Sequence, residues 1–207
     1  TVTGAGTLLG VDPRAGTVLS SALVTDSQGH ALVSAHCRGV PVDRSSTHPA
    51  EGIEVSRVPP PSRKPDECAT APSLLLERAV AYGSFGPSYE TALGLVPVFF
   101  EPSSFRANWV LQPWMSNGFG SVHGGMVISV VGAIADHAAG SVMGENEYYE
   151  VTDLSIDIVR SPVVGRHRPI ASAHCTKVGR RLVTMDIDIK DEDGTPMVRA
   201  RGTCVRT

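Results

Sequence analysis

A curled antiparallel sheet wrapped around one long helix, an α+β architecture, is the fold class this sequence predicts. Three observations point to it: strand sequence of strict period 2 near the C-terminus, one helical run that is apolar on almost every side, and an internal repeat whose two copies both read as strands. The 207 residues are 42% hydrophobic, 19% charged and 5% aromatic. That composition supports one good-sized core or two small ones and excludes a chain that is disordered throughout.

The repeat comes first, because it organises the rest. Residues 3–40 align without a gap on residues 168–205, pairing Val18 with Val183, Asp26 with Asp191, Gly29 with Gly194, Val33 with Val198, Ala35 with Ala200 and Val40 with Val205. In the second copy Val183, Met185, Ile187 and Ile189 alternate with Thr184, Asp186, Asp188 and Lys190. This is the pattern of a strand with one apolar and one wet face. The runs D-S-Q-G (Asp26 to Gly29) and D-E-D-G (Asp191 to Gly194) supply the Asp and Gly of a tight hairpin. Each hairpin returns through a second strand, Ala31 to Val42 or Pro196 to Val205.

Residues 47–75, containing V-P-P-P-S-R-K-P, have little apolar periodicity and read as a Pro-rich linker between a partial first unit, 1–46, and a complete second unit, 76–207. Around the start of the second unit Leu74, Leu75, Leu76, Ala79 and Val80 suggest a short amphipathic helix, followed by strands at Leu93 to Phe100 and Phe105 to Leu111. The segment Gly124 to Val142 is helical and apolar except for Ser129, Asp136 and His137. It must therefore be buried, and a curled sheet is the natural cover. Strands at Tyr149 to Val159 and Ile170 to Lys177 precede the hairpin of the second copy.

Lys and Arg number 18 against 21 Asp and Glu, a formal charge of -3 with no basic block, so nothing marks a nucleic-acid partner. No apolar run reaches the ~18 residues of a membrane span, and the first residues lack the pattern of a signal peptide. A soluble, cytoplasmic protein with no membrane partner is expected. Cys37, Cys68, Cys175 and Cys204 have no ligand-like spacing. They read as reduced, structural thiols, and no metal site is expected.

The element order, together with N-G-F-G-S-V-H-G-G from Asn117 to Gly125, resembles the hotdog-fold acyl-CoA thioesterases of the phenylacetate-degradation (PaaI-like) type over roughly residues 86–207. V-T-D-L-S-I-D-I-V-R-S-P (Val151 to Pro162), K-V-G-R-R-L (Lys177 to Leu182) and the closing D-E-D-G hairpin fit the same pattern. The resemblance implies a hotdog sheet around one helix and units paired side by side with substrate sites between them. With the repeat, it implies a tandem (double) hotdog whose partial N-terminal repeat keeps only strands. It also implies a pseudo-dimer within the chain and a homo-oligomer. The chain begins at Thr1 without Met, and upstream residues are expected to supply the first unit's missing half.

The resemblance assigns thioester hydrolysis, with CoA entering only as part of the substrate and no other cofactor. Gly124 holds the position whose amide polarises the carbonyl, Gly125 lies beside it at the substrate, and His123 and Asn117 orient the loop and contact the thioester region. A helix N-terminus suits an oxyanion because its first N–H groups lack helical partners. The glycines can equally serve only a tight turn, and His123 and Asn117 only cap the helix. Most relatives carry an acid eight residues after the first glycine; here that position is Gly132. Asp136, one turn deeper and about 40° around the axis, can replace it as general base or nucleophile. The alternative is an Asp136 exposed at a frayed end or paired with a basic group. Thr152 matches a Ser or Thr that positions water in some relatives, though strand threonines are more often structural. Arg160, Arg180 and Arg181, with Arg166, Arg168 and Lys177, fall in segments that hold CoA phosphates in the family, although exposed basic residues are mostly solubilising.

Two other functions compete. With Gly132 in place of the acid, the unit can be a catalytically inactive acyl-CoA-binding module. An enoyl thioester hydratase ranks lower, because the adjacent Asp136 and His137 diverge by about 100° on a helix.

Overall fold

The computed structural model describes residues 1–40, 72–86, 88–144 and 147–206. The chain divides into two units, 1–46 and 47–207. Most of the expected linker, through residue 71, lies outside the described residues, as does Cys68.

The first unit is a three-stranded antiparallel sheet of β1 (Thr3–Asp12), β2 (Thr17–Thr25) and β3 (Ala31–Gly39), in that order. Its β2–β3 turn repeats the geometry of the last hairpin of the chain. Gly29 and Gly194 have φ of 85° and 84°. Their amides donate to the carbonyls of Asp26 and Asp191, and the Asp26 and Asp191 amides donate to the carbonyls of His30 and Thr195. That left-handed conformation is the one glycine adopts without a Cβ penalty. The apolar positions differ in environment: Val33 is 55% exposed, whereas its counterpart Val198 in the second unit is 1% exposed.

The second unit opens with α1 (Pro72–Tyr82) and a single helical turn α2 (Tyr89–Ala92), then β4 (Leu95–Glu101) and β5 (Ser104–Trp109). After them come α3 (Gly124–Gly140), β6 (Tyr149–Ile158), β7 (Ile170–Val178), β8 (Leu182–Lys190) and β9 (Pro196–Arg206). Helix α1 begins inside the expected linker, its Pro72 occupying the first-turn position where a missing N–H costs nothing. The sheet order is β4-β5-β7-β8-β9-β6, all antiparallel, and α3 packs on β5 through β9.

The period-2 reading holds residue by residue in β8, where Val183, Met185, Ile187 and Ile189 are buried under α3. Val127, Val130, Val131, Ile134, Ala135 and Ala138 of α3 are fully buried against that face. At the β4–β5 end Gly94, with φ of 76°, lies so close to the Val110 carbonyl that any Cβ would collide with it. The expectation that α3 is buried all round needs correction. A stripe of Gly125, Ile128 and Asp136 is exposed, with Gly132 half-buried between them, because one sheet covers only one side of the helix.

Candidate functional site

The loop before α3 is built by Asn117. Its Oδ1 accepts from the amides of Phe119 and Ser121, and its Nδ2 donates to Ser121 Oγ at 3.1 Å. A turn follows in which Gly120 has φ of 77°. The loop is pinned on both sides: the Val122 amide donates to the Pro162 carbonyl and the His123 amide to the Met115 carbonyl, each at 2.8 Å. Asn117 thus shapes the loop through its own amide side chain.

His123 is the N-cap of α3, its Nδ1 accepting from the Gly125 amide at 3.0 Å. That bond engages the Gly125 N–H. Gly125 is therefore a capping partner of His123. The Gly124 N–H makes no hydrogen bond among the described residues, and a Cβ on Gly124 would meet nothing within 4 Å. One amide, at the positive end of a 17-residue helix, is thus left without a hydrogen-bond partner among the described residues.

Asp136 is exposed and is engaged in an interaction of its own. Its carboxylate, burial and Cys175 together push the Cys204 thiol up to about 12, burial being the largest cause, and burial alone raises Cys175 to about 11. Both thiols stay protonated and unbridged, as does the exposed Cys37 in respect of bridging. The expectation of a buried acid is thus corrected: the one-sided cover of α3 leaves Asp136 on the open stripe. Twelve residues separate Asp136 from Gly124, about 18 Å of helix, so the two cannot act on one thioester within a single unit. Gly132 leaves a genuine gap, since a Cβ there would meet only Leu154 Cδ1 at 3.9 Å.

Thr152 is the bulged residue of β6, between Val151 and Asp153, and its hydroxyl donates to the Thr203 carbonyl at 3.2 Å. The basic residues do not form one cluster. Register pairs Ile170 with Lys190 and Lys190 with Pro196 at one end of the sheet, and Val178 with Val183 at the other. Arg160, Arg166 and Arg168 belong to the first end, shared with the loop before α3 through Pro162 and Val163. Arg180 and Arg181, both exposed, sit in the turn at the second end, roughly 26 Å of strand away. They cannot grip the same phosphate as Arg160.

A feature without a sequence signal lies beside Asp136. His137 is stacked on Phe85 at 4.8 Å between ring centroids, tilted against Phe105 at 4.9 Å, and its Nε2 is 3.2 Å from Glu90 Oε1. Both side chains are nearly buried, and the contact falls short of hydrogen-bond geometry at Nε2. Burial raises the Glu90 carboxyl, but His137 and the Ser88 hydroxyl outweigh it and hold Glu90 at about 2. His137 turns toward Phe85 and Phe105 while Asp136 is exposed, and both line one cavity.

One helix sheathed by a curled six-stranded sheet, with a capped Gly-Gly start, defines the hotdog class of α+β fold. Residues 119–198 match the family model of the thioesterase superfamily. A comparison with curated proteins found no match. Among solved structures the fold is similar to the PaaI protein of the E. coli phenylacetic acid degradation operon, with 20% identity over 65% of this chain and 95% of that one and a TM-score of 0.57. It is similar to a thioesterase of Haemophilus influenzae, with 21% identity over 64% and 90% of the chains and a TM-score of 0.56. A Streptococcus mutans protein bound to acetyl CoA shares 18% identity over 55% and 88% of the chains, with a TM-score of 0.51. Among the described residues no group of side chains could hold a metal ion, and no helix is long and apolar enough to cross a membrane.

Proposed function

We propose that this protein hydrolyses acyl-CoA thioesters, with the Gly124 amide and the Asp136 carboxylate supplied by different hotdog units. The observation that carries the reading is the unengaged Gly124 N–H at the start of the buried helix, within the segment that matches the thioesterase superfamily. Water attacks the thioester carbonyl while Asp136 takes its proton. The tetrahedral oxyanion is stabilised by the Gly124 N–H and the helix N-terminus. The C–S bond then breaks, and the CoA thiolate recovers the proton from Asp136, leaving a carboxylic acid and free thiol. No metal or further cofactor enters this scheme.

The separation of Gly124 from Asp136 along α3 requires a second unit, its helix reversed alongside the first. Such pairing brings the end that carries Arg160 to the end that carries Arg180 and Arg181, so basic residues from both flank the same substrate. The N-terminal sheet, with the strand bounds and turn geometry of the last three strands, supports a tandem hotdog, in which residues 1–46 belong to a further unit. Thr152, on the bulge near Asp136's end of the sheet, is a water-positioning candidate in this scheme.

The test is thiol release across acyl-CoA substrates. Asp136→Asn is expected to lower kcat at least a hundredfold with little change in KM, and a variant that keeps the full rate overturns the assignment. The absence of an acid at Gly132 favours a second reading, an acyl-CoA-binding module without turnover, which a wild type that binds CoA esters but releases no thiol would establish.

A further inference from the structure

A cavity of about 460 Å³ lies between α1, the C-terminal half of α3 and the start of β6. Its floor is apolar and buried: Leu76 and Ala79 of α1 and Met143 are each under a tenth exposed. Gly140 lets the two helices approach, since a Cβ there would already touch Pro72 Cβ at 3.5 Å. The rim is polar or aromatic and carries Tyr82, Tyr148 and Asp136, all exposed. A second, open groove runs over Gly132, Ser129 and Leu154, and shares Glu90, Asp136, Tyr148 and Tyr149 with the first cavity. The two hollows therefore adjoin at Asp136.

We propose that the cavity between α1 and α3 is the chamber for the acyl group, and that it selects apolar acyl bodies larger than acetyl. The proposal rests on the thioester-hydrolysis reading and extends it to substrate class. A thioester whose carbonyl stands at Asp136 has two directions open to it: the CoA arm follows the groove that Gly132 leaves wide, and the acyl tail enters the chamber. The volume falls within the range of small-molecule sites, and the apolar floor suits a tail whose only polar end is the reacting carbonyl. Leu75, Leu76, Ala79 and Met143 offer no partner to a charged or heavily hydroxylated tail, the wall's nearly buried Glu90 and His137 lie against each other, and the exposed Arg78, Tyr82 and Asp136 stand at the rim. Two helices packed around a glycine form one side of the chamber, and the loop residues Phe85 and Met143 complete its lining.

Two variants change the chamber in opposite directions. Ala79→Phe fills the floor, and Leu75→Ala, on a less buried position of α1, enlarges it. With octanoyl-CoA and acetyl-CoA as the paired substrates, the wild type is expected to favour octanoyl-CoA at least tenfold in kcat/KM. Ala79→Phe should remove that preference, lowering kcat/KM for octanoyl-CoA at least tenfold more than for acetyl-CoA, and Leu75→Ala, which keeps the fold testable if the larger side chain does not, should move the preference toward acyl groups bulkier than octanoyl. A calorimetric arm uses S-octyl-CoA, which has no thioester to hydrolyse, against CoA itself. At least tenfold tighter binding of the alkyl form, lost in Ala79→Phe, supports the chamber even in a protein that releases no thiol, and so separates failure of hydrolysis from failure of the site. Equal affinity for S-octyl-CoA and CoA, or an octanoyl-to-acetyl ratio untouched in both variants, overturns it.

Discussion

The Nε2 of His137 lies 3.2 Å from the Oε1 of Glu90, joining the last full turn of α3 to the short helix α2 across a nearly buried contact. Folding lowers the Glu90 carboxyl from 4.5 to about 2, so the native state favours its ionised form. The contribution is fully present above the unfolded value near 4.5 and is lost as the pH falls through the folded value near 2. A shift of that size corresponds to about 3 kcal/mol. Glu90→Gln is therefore expected to destabilise the wild type by about that amount at pH 7 and to flatten the acid limb of stability between those two values. Urea midpoints measured from neutral pH down to pH 2.5 check it; parallel acid limbs for the two proteins would rule it out.

The open position at Gly132 makes a direct test of the displaced acid. A Cβ there meets only Leu154 Cδ1, at ordinary contact distance, and an Asp at that site leaves the helix fold intact. Gly132→Asp, introduced into the inactive Asp136→Asn protein, is expected to restore at least a tenth of the wild-type kcat, because the two positions differ by one turn on nearly the same face. A double variant that folds with the wild-type Tm yet stays as slow as Asp136→Asn would show that the carboxylate does not act at this place.

His123 acts through the helix start. Replacing it by Ala removes the acceptor that holds the Gly125 amide and is expected to cost about 1 kcal/mol, the usual price of a lost N-cap. The neighbouring Gly124 N–H loses its aim at the same time, so kcat falls with stability. Asn in the same position offers a side-chain oxygen to the Gly125 amide, and His123→Asn should recover both to within about threefold of wild type. A stable His123→Asn protein with kcat still depressed would instead assign the imidazole a part in the chemistry itself.

The strands were legible where one face is buried and the other wet. In β8 each inward residue from Val183 to Ile189 was identifiable because a one-residue slip would reverse every side chain. The cap at His123 and the turn at Gly194 were legible because short-range backbone geometry selects those residue types. The pairing of Glu90 with His137 was not, since it joins residues 47 positions apart through a four-residue helix with no periodicity of its own. Asp136 was misplaced for a related reason. An apolar surround along the helix says nothing about which side the sheet covers, and the sheet leaves open the stripe on which Asp136 stands. The basic residues divided between two ends because sequence proximity of Arg168 to Arg180 is undone by the length of β7 between them.

The division of labour between Gly124 and Asp136 yields a complementation test. Gly124 is the first residue of α3, and a proline is well tolerated there: its ring φ suits the helix start, and the preceding His123 already has the extended ψ of 135° that proline demands. Gly124→Pro therefore deletes the one N–H assigned to the oxyanion and leaves the helix in place. Alone it is expected to lose at least a hundredfold in kcat with its Tm nearly unchanged, as is Asp136→Asn alone. If two copies of the second unit form the site, a mixed pair contains one site with both groups intact and one with neither. Co-expressed in equal amounts with random pairing, the two inactive chains should regain about a quarter of the wild-type activity. Recovery must require co-expression or refolding together, since mixing tightly paired copies exchanges them slowly. Two inactive proteins whose co-refolded mixture, shown by mass to contain mixed pairs, stays inactive would place Gly124 and Asp136 in separate reactions or restrict their meeting to units of one tandem chain.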